Sequence, residues 1–184
     1  MYKRKLNLDL PVHQSAFLWG ARQTGKSTYL QGAFPDAYYI NLLQPKTFLA
    51  YSKQPALLSE TVKALPEKQR HQPVIIDEVQ KIPALLDEVH DLIEGENQGF
   101  ILCGSSARKL KRGGANLLGG RAWRFECFPL TSAEIPELNI ESALQYGVLP
   151  SVYGLDERSA KRALRAYIQE YLKEEIQAEG LVRN

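Results

Sequence analysis

A chain of 184 residues, 44% hydrophobic and 24% charged, is long enough to bury a core without disulfides or metal, which excludes the disordered and disulfide-stapled classes. A net charge of +2 is too small to specify a nucleic-acid partner by itself. The start "MYKRKLNLDLPVH" is basic but lacks an apolar segment, and no run approaches about 18 apolar residues, so neither a signal peptide nor a membrane span is expected and the cytoplasm is the expected compartment.

In chain order, five short apolar runs read as strands: Ala16 to Trp19, Tyr38 to Leu42, Val74 to Ile76, Phe100 to Cys103 and Arg124 to Phe128. Their apolar character is nearly continuous rather than alternating, as in strands buried on both faces of a parallel sheet. Helical patterns fall between them. Gly25 to Gln31 follows the first run and Gly32 is expected to end it. A second helix runs from Pro55 to Leu65. A third runs from Pro83 to Glu94, with Leu85, Leu86, Val89, Leu92 and Ile93 on one face and Gly95 closing it. A fourth is expected from Ser105 to Lys111. This alternation predicts an open α/β sheet. Cys103 and Cys127 read as buried strand thiols, and His13, His71 and His90 are scattered. Beyond Phe128 the pattern changes. Thr131 and Glu134 form a capping-box signature, and Asp156 can cap a helix to about Ala178 with Leu164, Tyr167, Ile168, Tyr171, Leu172 and Ile176 inward. The expected division is a core over residues 1–130 and a small helical appendage over 131–184. The ending "QAEGLVRN" suggests a longer parent protein.

The stretch "GARQTGKST" matches G-x-x-x-x-G-K-[ST], the phosphate-binding P-loop, between an apolar run and a helical segment. Residues Gly20, Ala21, Arg22, Gln23, Thr24, Gly25, Lys26, Ser27 and Thr28 are therefore the candidate nucleotide-binding set. The glycines let the backbone curl so that N–H groups face phosphate oxygens, and the helix start adds partial positive charge. Lys26 is expected to reach the β- and γ-phosphates, Ser27 to bind Mg²⁺, and Thr28 to assist at the α-phosphate. In "PVIIDEVQ" a buried strand ends in two carboxylates. Asp77 is the candidate metal ligand beside Ser27, and Glu78 the candidate base for an attacking water. In "FILCGSSARKL", Ser105 and Ser106 follow a strand end, where ligands of open α/β sheets bind. They can position water or contact the γ-phosphate, or cap the next helix. The acid-free segment "RKLKRGGANLLGGRAWR" holds Arg108, Lys109, Lys111, Arg112, Arg121 and Arg124. It can supply an arginine to a nucleotide site, contact nucleic-acid phosphates, or form a solvated loop. Trp123 can stack a base, although core packing in the fifth strand is the favoured reading.

With those residues in place, the chain resembles the bacterial and archaeal AAA-type ATP-binding proteins whose P-loop domain precedes a C-terminal domain of unknown function. The resemblance rests on "LWGARQTGKST", "VIIDEVQKIP", "ILCGSSARKL", "GANLLGGRA", "FPLTSAEI" and "YLKEEIQAEGLVRN". It implies a P-loop NTPase fold, a three-layer αβα sandwich with a parallel five-stranded sheet in the order 5-1-4-3-2, followed by a small helical lid. It also implies ATP rather than GTP, Mg²⁺ as cofactor, Gly20 to Thr28 as Walker A, Asp77 and Glu78 as Walker B, and Ser105 or Ser106 as the strand-end sensor. Arg121, just before the fifth strand, is implied to act on the ATP of a neighbouring copy, hence a homo-oligomer. The leading expectation is a Mg²⁺-dependent ATP hydrolase acting on a DNA or protein partner. A GTP switch lacks its [NT]-K-x-D segment; a small-molecule or nucleotide kinase and a nucleic-acid-binding module stay as alternatives.

Overall fold

The computed structural model describes residues 2–105, 107, 110 and 118–169. They form two units. The first comprises residues 7–20 and the described residues of 26–127; the second comprises residues 2–6, 21–25 and the described residues from 128 onward.

The first unit is a parallel five-stranded sheet with flanking helices. Its elements in order are β1 (Ser15–Trp19), α1 (Lys26–Ala33), β2 (Tyr39–Asn41), α2 (Pro45–Lys53), α3 (Leu57–Lys63), α4 (Glu67–Arg70), β3 (Val74–Asp77), α5 (Leu85–Glu96), β4 (Phe100–Gly104) and β5 (Ala122–Glu126), with a 3₁₀ turn at Val79–Lys81. The sheet order is β2-β3-β4-β1-β5, the expected 5-1-4-3-2 read from the other edge. Every residue of β1, β3 and β4 is buried, which is why these strands read as continuous apolar runs. Phe17 and Trp19, on one face of β1, stack at 5.2 Å and pack with Ile40, Ile76, Leu86 and Leu102.

The strand at the other edge departs from expectation. β5 starts at Ala122 and ends at Glu126 because its register on β1 pairs Ser15 with Ala122 and Trp19 with Glu126. As an edge strand it is only half covered, and Trp123 is 46% exposed instead of packed in the core. Helix ends also differ. α1 runs through Gly32 to Ala33, and α5 runs through Gly95 to Glu96. The residue that stops α5 is Asn97, left-handed at φ 50°, a conformation asparagine tolerates well. Helix α2 was not anticipated. Only Tyr51 of it is fully buried and Phe48 is partly covered, so its apolar face is too short to read as a period. The fourth expected helix falls largely outside the described residues.

In the second unit, Thr131 and Glu134 form the expected capping box on a 3₁₀ turn, Ser132–Glu134. Helices α6 (Ile140–Tyr146) and α7 (Glu157–Tyr167) follow, the latter capped by Asp156, whose carboxylate accepts from Ser159 N at 3.1 Å. Leu164 and Tyr167 are half-buried, while Ile168 is 54% exposed and not inward as expected. Tyr171, Leu172 and Ile176 lie outside the described residues. Arg4 organises this unit. It donates to the carbonyls of Thr24 (2.5 Å) and Phe128 (2.7 Å) and pairs with Glu134 at 3.0 Å. Glu134 also accepts from the backbone N–H of Lys5 and Thr131. Burial alone would raise the Glu134 carboxyl. The two backbone donors and the Arg4 guanidinium outweigh it and hold the group below the usual carboxylate range. No helix of the described residues is long and apolar enough to cross a membrane.

Candidate nucleotide site

Because the strands are all parallel, their C-terminal ends share one edge of the sheet. Register places Trp19 beside Gly104, Cys103 beside Asp77, and Asp77 beside Asn41. The residues that follow β1, β3 and β4 therefore emerge together: Gly20, Glu78 and Ser105. Residues far apart in the sequence are brought to one edge by topology alone.

Gly20 is required by proximity rather than by dihedral angle. Cys127 N donates to Trp19 O at 2.7 Å, drawing the chain after β5 against the chain after β1. A Cβ on Gly20 would lie 2.2 Å from the Cys127 carbonyl oxygen and 3.1 Å from its carbon. Both are backbone atoms and cannot swing away. Gly20→Ala is expected to destabilise the chain by about 1–3 kcal/mol, read as a drop in the thermal midpoint of roughly 2–4 °C per kcal/mol. An unchanged midpoint would show that the two backbones separate freely.

Within the second unit, residues 21–25 curl through left-handed positions at Gln23 (φ 63°) and Gly25 (φ 87°). Such a curl turns successive N–H groups toward a common point. Thr24 is fully buried and its hydroxyl donates to Ala21 O at 2.9 Å. Ser151 donates to the Gln23 side chain at 2.7 Å.

Within the first unit, Lys26 opens α1, is 5% exposed, and donates from Nζ to Gly20 O at 2.7 Å. The next residue, Ser27, donates its hydroxyl to Asp77 Oδ2 at 2.6 Å. Thr28 is exposed on the first turn. Asp77 is 1% exposed at the tip of β3. Its Oδ2 also accepts from Tyr39 Oη at 2.6 Å, and its Oδ1 is buried with no hydrogen-bond partner. Burial, then the hydrogen bond to Asp77, pushes the Tyr39 phenol well above the ordinary tyrosine range, so it stays a donor. Burial, then the negative charge of Asp77, likewise pushes the Cys103 thiol up, leaving it neutral and unreactive.

Glu78 follows in a left-handed conformation, φ 60° and ψ 43°, which a side chain with a Cβ adopts at a cost of about 1–2 kcal/mol. Strain of this kind concentrates at functional sites. Gln80 donates its side-chain amide to Glu78 Oε2 and lies 3.1 Å from Ser105 Oγ. Lys26, Ser27, Asp77, Glu78 and Ser105 are thus held by one edge of the sheet.

Ser106 lies outside the described residues, as do Arg108, Lys109, Lys111 and Arg112. Arg121 does not join the set. It precedes β5, at the N-terminal ends of the strands, and pairs there with Glu94, whose carboxyl it holds below the usual range. Its carbonyl accepts from Gln14 Nε2 at 3.0 Å. Three contributors escaped the sequence reading. Tyr39, in "AYYIN", carries no motif signal. Gln80 lies within the quoted "DEVQ", where only the carboxylates drew attention. Arg4, in the second unit, stands in a basic N-terminus that carries no motif signal either.

A buried carboxylate with an orphaned oxygen, a lysine and a serine opening a helix, and a strained carboxylate next in line are groups whose chemistry could hold a phosphate and a cation. Comparison with curated proteins finds no match. The family model described as an AAA domain matches residues 12–136, more than half of the chain. The chain belongs to the AAA domain family, the P-loop ATPase-like domains.

Proposed function

We propose that the chain binds ATP with Mg²⁺ at this edge and hydrolyses the terminal phosphoanhydride. The observation that carries the reading is Asp77. Two hydroxyls converge on its Oδ2 while Oδ1 is buried and unpartnered. An ionised oxygen without a donor is costly in a protein interior, and a hydrated cation is the partner that suits it. The residues fit Mg²⁺: Ser27 Oγ and Asp77 are hard oxygen donors, in the pairing that P-loop sites use. When bound, the ion would offset charge on the β- and γ-phosphate oxygens.

The protein's own groups divide the remaining work. Backbone N–H groups of Gly20 to Thr28 cradle the phosphates. Lys26 exchanges its bond to the Gly20 carbonyl for phosphate oxygens, and its charge stabilises the developing negative charge. Glu78 accepts a proton from water as that water attacks the γ-phosphorus. Ser105, from the end of β4, and Ser106, which lies outside the described residues, report on the terminal phosphate. Arg121, at the opposite end of the sheet from Glu78, acts on the ATP of another copy, so the working form is an oligomer that couples hydrolysis to a DNA or protein partner.

The test is phosphate release from ATP by the purified chain, with Mg²⁺ and with excess chelator, over a range of protein concentrations. Turnover that needs Mg²⁺ and rises more than linearly with protein supports the reading, and Arg121→Ala is expected to flatten the concentration dependence. Nucleotide binding without hydrolysis at any concentration rejects it.

A further inference from the structure

The Gln80 side chain touches both Glu78 and the residue after β4. Its Nε2 donates to Glu78 Oε2 and lies 3.1 Å from Ser105 Oγ. The orientation of the amide follows from chemistry: a carboxylate only accepts, so the NH₂ end must face Glu78. The other end is left at a disadvantage. Gln80 Oε1 is buried without a hydrogen-bond partner. Room for it exists only because residue 104 is glycine; a Cβ there would lie 2.2 Å from Oε1 and 2.8 Å from the Trp19 ring. An interior that keeps an unsatisfied amide oxygen, and clears space for it, does not gain stability from that group.

We propose that Gln80 is a positioning residue, whose single amide locks the Glu78 carboxylate and the Ser105 hydroxyl into one unit. This rests on the reading of Glu78 as the base. The two N–H bonds of one NH₂ group are spent on the two partners. Ser105 Oγ accepts one of them, so its own proton is left to donate to an anionic oxygen of the ligand. Glu78 Oε2 accepts the other, so Oε1 is the oxygen left for water. A glutamate side chain without such an anchor samples several rotamers, few of them at attack geometry. The terminal phosphate and the water-activating group are thereby linked through an amide that holds Glu78 directly and reaches the phosphate only by way of Ser105.

The experiment is single-turnover hydrolysis, chain in excess over ATP, for wild type, Gln80→Leu, Glu78→Gln and the double variant, alongside ATP affinity and thermal midpoint. Gln80→Leu removes both donors without adding charge. The expected result is a rate lowered about 10–100-fold with affinity and midpoint nearly unchanged. In the Glu78→Gln background the same substitution is expected to have little further effect, because it acts through Glu78. A merely structural role would lower affinity and midpoint together with rate, or would lower the rate equally in both backgrounds; either result overturns the proposal. Full activity of Gln80→Leu beside an inactive Glu78→Gln overturns this proposal alone. Full activity of Glu78→Gln overturns the base assignment, and this proposal with it.

Discussion

Glu78→Gln is expected to abolish steady turnover, lowering the hydrolysis rate by about 10²–10⁴-fold, while ATP affinity stays within about threefold. The two side chains have the same shape. The new amide oxygen can still accept from Gln80, so the left-handed turn after β3 and the bridge to Ser105 need not change. What is lost is the capacity to take a proton. Asp77, which serves the cation in this reading, is untouched, as are Lys26 and Ser27. The measurement is single-turnover release of phosphate, paired with equilibrium binding of a fluorescent ATP analogue. Retained binding with lost turnover supports Glu78 as base. Equal loss of both would make Glu78 part of the binding surface, and unchanged turnover would remove it from the chemistry.

Much of this arrangement is legible before folding, for a physical reason. A loop that binds phosphate through its backbone leaves a local record, and the proposed one does so as glycines at fixed spacing followed by the lysine and serine that open α1. A central parallel strand is buried on both faces, so β1, β3 and β4 appear as unbroken apolar runs. Where an element is half-exposed the record fades. β5 lies at the sheet edge, and its true span is set by pairing with β1, not by its own composition; composition alone therefore reads Trp123 into a core it does not enter. Helix α2 fully buries only Tyr51, with Phe48 partly covered, and its apolar face is too short to leave a clear period. Two glycines that looked like helix stops, Gly32 and Gly95, are taken into the last turns of α1 and α5. Partners that meet only through topology left no record at all. Nothing local joins Tyr39 to Asp77 or Gln80 to Ser105, and Arg4 reaches Glu134 across 129 intervening positions' worth of chain that no motif spans.

Asp77→Asn separates the cost of the site from its use. In the free chain the carboxylate is 1% exposed, with Oδ2 satisfied by Ser27 and Tyr39 and Oδ1 orphaned. The substitution keeps an acceptor for both hydroxyls and exchanges an orphaned charged oxygen for an orphaned NH₂. Two comparable penalties trade places, so stability without ligand is expected to change by no more than about 1 kcal/mol. With ligand the outcome diverges. Wild type at a hundredfold excess of Mg²⁺·ATP over Kd gains about 2.7 kcal/mol, which for a chain of this size is a rise of roughly 5–10 °C in the thermal midpoint. Loss of the anionic oxygen is expected to weaken cation binding about 10–100-fold and to remove most of that rise. ATP with chelator is expected to shift wild type and variant alike, because phosphate contacts from the loop and Lys26 do not pass through Asp77. Differential scanning of both chains under the three conditions makes the comparison. A collapse of the unliganded variant would make Asp77 a structural anchor for Ser27 and Tyr39. An undiminished Mg²⁺·ATP shift would take the cation away from β3 altogether, leaving the orphaned oxygen without a function.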